Sequence, residues 1–128
     1  ICETRSLSTE KLKYQTDLMI DIFKTTAVAN NTTVDITSKN LYSAFTLTES
    51  SAVIALAKAA TNALNLTPKL TSTGGGSDAN YFNTYNVPCA VLGIGMQKVH
   101  TNEEFILLED LYNNAKLICE IIKTAPYL

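Results

Sequence analysis

Apolar residues recur at two different spacings along this chain, and each change of spacing marks an element. Leu12, Met19, Ile22 and Phe23 share one helical face, which runs to about Ala29. Ser8 can cap that helix, Glu10 falls in its first turn where the dipole favours an anion, and Asn30-Asn31 ends it. Ile1 to Arg5 alternates like a strand. Thr33 to Ile36 and Leu41 to Leu47 are rich in β-branched and aromatic residues and predict two strands around a Ser38-Lys39-Asn40 turn. Residues 1–47 thus predict a β-α-β-β unit, an α+β layer that needs a partner surface.

From Thr48 or Ser50 the spacing is helical again, with Val53, Leu56, Ala57, Ala60 and Leu64 on one stripe. Leu66 to Pro68 breaks it, and Lys69 to Ser72 predicts a short strand. Gly74-Gly75-Gly76-Ser77-Asp78 leads into a short helical stretch, Ala79 to Thr84. Cys89-Ala90-Val91-Leu92 is a continuous apolar run of the buried parallel-strand type, opened at its end by Gly93 and Gly95. Leu108, Leu111, Ala115, Ile118 and Ile122 predict a last helix with Glu109-Asp110 at its start and Lys123 at its end. Residues 48–128 alternate helix and strand, which reads as α/β with parallel strands. The fold expected overall is α/β with an α+β segment.

Composition narrows the function classes. Hydrophobic residues make up 46% and charged residues 17% of the chain, the balance of a folded domain and not of a disordered one. Ten basic and twelve acidic residues are mixed without a basic stripe, so no nucleic-acid partner is expected. The apolar runs are too short to span a membrane, and no signal peptide is visible. Cys2, Cys89 and Cys119 form no CxxC pair and read as small core residues in a reducing cytoplasm. Ile1 is not a start methionine and opens partway into a strand pattern, so earlier residues are expected to be missing.

In parallel sheets ligands gather beyond the C-terminal strand ends, where both Gly-rich segments fall. Three successive glycines let backbone approach a ligand and aim N–H groups at a negative oxygen, although a plain tight turn needs the same residues. The spacing is neither GxGxxG nor a Walker loop, and Ser77 lacks a GxSxG elbow. His100, the only histidine, follows the second Gly-rich exit; such a residue is either a ligand or a solvated loop side chain. Glu103 and Glu104 read as solvated acids before the last helix. Arg5 is either a surface ion pair or a planar fork for a carboxylate.

Four ordered segments carry a resemblance: Thr73-Gly74-Gly75-Gly76-Ser77-Asp78-Ala79-Asn80, Val87-Pro88, Leu92-Gly93-Ile94-Gly95, and Val99-His100-Thr101-Asn102-Glu103-Glu104-Phe105. Together they resemble the C-terminal signature of the cocatalytic zinc peptidases related to peptidase T, carboxypeptidase G, aminoacylase and succinyl-diaminopimelate desuccinylase, with wording most like the peptidase T (tripeptidase) branch. The resemblance implies that residues 1–47 are the second half of a lid that also makes a homodimer contact. Residues 48–128 would be the C-terminal part of the catalytic domain. It implies His100 as a zinc ligand, and Arg5 with Gly74, Gly75, Gly76, Ser77, Asp78 and Asn80 as substrate contacts. The activity implied is hydrolysis of short peptides at two zinc ions. The family's other ligands and its catalytic base have no counterpart in this chain, so no catalytic residue is expected here and the chain alone is expected to be inactive. The competing expectations are a non-catalytic ligand-binding or dimerisation module sharing the fold, and a small anion-binding α/β domain without metal.

Overall fold

Ser8 begins the first helix as its sequence suggests. Its hydroxyl accepts from the Lys11 amide at 3.3 Å, and helix α1 runs over Thr9–Ala29 with Glu10 in its first turn. Its end is built on asparagine. Asn31 takes a left-handed backbone (φ 51°), which lets Thr32 N–H reach the Ala27 carbonyl and Asn31 N–H reach that of Val28, both carbonyls that a helix end leaves unpaired. Helix α2, Ala52–Ala63, ends the same way: Asn65 (φ 56°) turns the chain so that Leu66 N–H bonds Thr61 and Asn65 N–H bonds Asn62. Asn86 (φ 59°) follows helix α3, Asp78–Thr84, in the same conformation. Asparagine thus does the work usually given to glycine, since its short polar side chain tolerates that region. Helix α4 spans Leu108–Thr124, with Glu109 and Asp110 in its first turn and Lys123 in its last, each on the end its charge favours. A 3₁₀ turn, Ala125–Tyr127, follows.

The structure, a computed structural model, describes residues 1–127. Among them no β-ladder forms. The segments expected as strands (1–5, 33–36, 41–47, 69–72 and 89–92) are not paired, and the single bridge joins Gln97 to Phe105. Side-chain pattern says only that a segment suits a sheet. A strand needs a neighbour to take its N–H and C=O groups, and these segments do not serve one another.

The residues divide into two compact units. One holds Ile1–Thr46 and Thr73–Tyr85, and so contains α1 and α3; the other holds Leu47–Ser72 and the chain from Asn86 onward, with α2 and α4. In the second unit α2 packs on α4, and the residues these two helices bury are Ile54, Ala60 and Leu117, Ala60 completely. The stripe expected to bury α4 faces the other way. Leu108, Leu111, Ala115, Ile118 and Ile122 are all exposed, Leu108 by 84% and Ile122 by 66%. In the first unit α1 buries Ala27 alone among its residues, with Leu18, Ile22 and Phe23 open, while α3 buries Ala79 and Asn80. Cys2 and Cys119 are exposed and Cys89 half-buried, so the cysteines do not form a core. The chain exposes 10328 Å² for 13.9 kDa. A folded monomer of that mass averages about 6,700 Å². The apolar periodicity is therefore real but largely uncovered.

Candidate functional site

Two groups of the expected site residues are built locally, one in each unit. In the first, Arg5 stands beside the glycine loop. Its Nε donates to Glu3 Oε1 at 2.6 Å and its Nη1 to the Gly74 carbonyl at 3.4 Å. Hydrogen bonding and charge from Glu3 hold the guanidinium proton more firmly than usual, with a further contribution from Tyr42. The pair is solvent-exposed, so its energetic worth is small.

The three glycines are not equivalent. A side chain on Gly74 would meet open space, and the Gly75 N–H is already taken by Thr73 Oγ1 at 3.2 Å. At Gly76 a Cβ would fall 2.2 Å from the Tyr42 ring, so only glycine lets that ring pack against the loop. Asn80 fastens the loop from beneath. It is 6% exposed, its Oδ1 accepts from Ser77 N–H at 3.0 Å, and its Nδ2 donates to the Ser43 carbonyl at 2.7 Å. Tyr81 adds a bond from its hydroxyl to the Leu41 carbonyl at 2.7 Å. Asn80 thus spends both polar ends on backbone, while Asp78 is exposed in the first turn of α3. Ser77 caps that short helix. Arg5 is exposed and already bonded to Glu3 and to the Gly74 carbonyl, and Gly74 and Gly76 are exposed beside it.

In the second unit, His100 lies on a loop closed by its own bonds. Gln97 N–H donates to Phe105 O at 2.8 Å and Phe105 N–H returns to Gln97 O at 3.2 Å. Thr101 ties the interior, its Oγ1 donating to Lys98 O at 2.7 Å and accepting from Glu103 N–H at 3.2 Å. Lys98 and Glu103 pair at 2.5 Å. Both Lys98 (φ 50°) and His100 (φ 65°) hold left-handed backbone, which few non-glycine residues adopt, histidine more readily than lysine. The His100 amide donates to Glu104 Oε2 at 2.8 Å, and the residue is exposed. The chain reaches this loop through Gly95 (φ 87°), where any Cβ would lie 2.7 Å from Asp110 Oδ2. Asn114 fixes the approach by donating to the carbonyls of Ile94 and Asp110, each at 2.7 Å.

The sequence reading missed Glu104, Tyr42 and the buried role of Asn80. The spacing of Thr101 and Glu104 after Lys98 was the available signal, because a threonine and an acid at those offsets can close a turn on its own backbone. As to metal, no three His, Cys, Asp or Glu side chains among the described residues come together as a ligand cluster. A catalytic zinc takes about three protein ligands. The imidazole fits one ligand of such a centre; the donors present do not fit the whole.

Comparison with known proteins agrees with the resemblance. The description Peptidase family M20/M25/M40 matches residues 1–124. The uncharacterized protein YqjE of Bacillus subtilis is 29% identical over 125 residues, covering 98% of this chain and 34% of that protein. An uncharacterized metallohydrolase of Methanocaldococcus jannaschii is 43% identical over 70 residues, 53% of this chain and 17% of that one. Among solved structures, a tripeptidase from Staphylococcus aureus superposes with a TM-score of 0.85 at 32% identity, covering 96% of this chain and 33% of that chain. Aminopeptidase PepT from Bacillus cereus gives 0.74 at 34% identity, covering 91% and 31%. The chain spans 34% and 17% of the length of the curated relatives it matches. It belongs to Peptidase family M20/M25/M40.

Proposed function

We propose that this member of the family works as the C-terminal part of a zinc-dependent, tripeptidase-like enzyme that hydrolyses short peptides. His100 supplies one ligand to a zinc centre whose remaining ligands lie outside this chain. The observation that carries the reading is the self-closed Gln97–Phe105 loop, which presents an exposed imidazole from a strained backbone position. Strain of that kind is held where function uses it. In this reading Arg5 and the backbone of Gly74 and Gly76 receive a substrate carboxylate, Tyr42 and Asn80 shape that wall, and Ser77 and Asp78 border it. Zinc, when bound, polarises the scissile carbonyl and supplies a hydroxide-like nucleophile.

Residues 1–47 are assigned to a lid that makes a homodimer and 48–128 to the catalytic domain, in a cytoplasmic enzyme. No helix among the described residues is long and apolar enough to cross a membrane. The outward stripe of α4 supports a working context in which further protein covers it. The chain by itself, with too few ligands, does not turn over peptides.

The test is His100→Ala in the longer polypeptide, assayed on a tripeptide with zinc content measured in parallel. Loss of activity and of bound zinc, with the thermal midpoint kept, is expected. Wild-type turnover in that variant refutes the ligand assignment, and turnover by the isolated chain refutes its dependence on outside residues.

A further inference from the structure

Two left-handed residues, Lys98 and His100, stand within three positions of each other, and neither is glycine. Each such residue costs on the order of 1 kcal/mol or more, so the loop holds this shape only because other bonds over-determine it. The Gln97–Phe105 bridge closes its base, Thr101 braces its middle, and the Lys98–Glu103 pair spans its outside. None of these touches His100. Among the described residues, the bond to His100 is the 2.8 Å contact from its amide to the Glu104 carboxylate. It is charge-assisted, the stronger class of hydrogen bond, and it rewards the left-handed conformation directly.

We infer that Glu104 is a positioning residue for His100. The inference rests on the reading of His100 as a metal ligand. Glu104 bonds the main chain, so it leaves both ring nitrogens to a ligand role and fixes the Cα–Cβ direction instead. Without it the amide loses its partner, the backbone relaxes toward the extended or right-handed region, and the imidazole swings away from its aimed direction. Groups that orient a metal-binding histidine typically cost about 10–100-fold in affinity or activity when removed.

Two measurements test this. In the present chain, amide hydrogen exchange of His100 is followed by NMR in wild type, Glu104→Ala and Glu104→Gln. Exchange at least about tenfold faster is expected in the alanine variant, with the glutamine variant within about threefold of wild type, since its amide oxygen still accepts. In the longer polypeptide, zinc affinity is measured by chelator competition for the same variants and for His100→Ala, with thermal midpoints as a folding control. Glu104→Ala is expected to bind zinc about 10–100-fold more weakly, and Glu104→Gln to recover most of that loss. An unchanged His100 amide in Glu104→Ala overturns the inference. So does a loosened amide with wild-type zinc affinity. If His100→Ala keeps wild-type zinc affinity, the ligand reading fails instead, and the amide data identify that failure as separate.

Discussion

Asn80→Ala removes both ends of the bridge that fastens the glycine loop to the 41–43 segment. The side chain is 6% exposed and makes bonds of 2.7 Å to the Ser43 carbonyl and 3.0 Å from the Ser77 amide. A typical intramolecular hydrogen bond contributes about 1 kcal/mol net, and a stranded buried partner costs about 1–3 kcal/mol. Here Ser43 and Ser77 are themselves exposed, so water can reach the groups left behind and the lower end applies. The sum is about 2 kcal/mol, or about a 30-fold change in the local opening equilibrium. Amide exchange of Ser77 reads that opening directly, without requiring the whole chain to unfold in one step. Exchange faster by less than about threefold in the variant would refute the bridging role. Asn80→Asp sharpens the test. It keeps the acceptor for Ser77 but sets a carboxylate oxygen against the Ser43 carbonyl. Burial and that repulsion raise the introduced carboxyl's folded pKa above its unfolded value. The folded state then binds the proton more tightly, so stability rises as pH falls through that pKa, and the protonated oxygen donates to Ser43. A variant whose loop is equally loose at every pH would show that the Ser43 bond is not the one that matters.

Gly95→Ala should destabilise the second unit by about 2–3 kcal/mol, the sum of a left-handed alanine and a displaced Asp110. Thermal unfolding checks it, and adding Asp110→Ala should recover only part of the steric share and none of the left-handed cost, because the added Cβ would still lie 3.0 Å from the Cβ of residue 110. Glu49 is held below its ordinary value of 4.5 by the hydrogen bond and charge of Lys58. A depressed folded pKa contributes stability above the unfolded value that disappears as pH falls through the folded one. Acid titrations of wild type and Glu49→Gln should therefore differ slightly at neutral pH and converge below pH 4.5; curves that stay parallel would exclude the pair as the cause.

Helices were legible because their signals are local. Ser8, Glu10 and Asn30-Asn31 act within one turn of the backbone they satisfy, so α1 follows from neighbouring residues, whereas α2 starts at Ala52 rather than at Thr48 or Ser50 and ends on Asn65 before the Leu66–Pro68 break. The strands were not, because pairing is decided by distant backbone that a side-chain pattern does not specify. The same division explains α4. Its apolar stripe is where the periodicity puts it, but which face meets α2 is a tertiary choice, and the face carrying Leu117 wins. At the site, glycine spacing and the histidine drew attention to two loops, each of which is closed by local bonds. The residues that hold those loops, Asn80 and Glu104, are ordinary polar residues whose importance lies in which backbone groups they reach.

The Gln97–Phe105 loop draws nearly all its restraints from its own residues. Its imidazole is therefore insulated from changes elsewhere in the unit. Substitutions that weaken the α2–α4 contact would lower the amount of folded protein while leaving the loop's internal geometry intact in the molecules that do fold. A lineage can thus drift widely in its helices and keep this one residue aimed. The same independence makes the segment a graft that can be carried into another scaffold whole, provided the two residues at its base can pair.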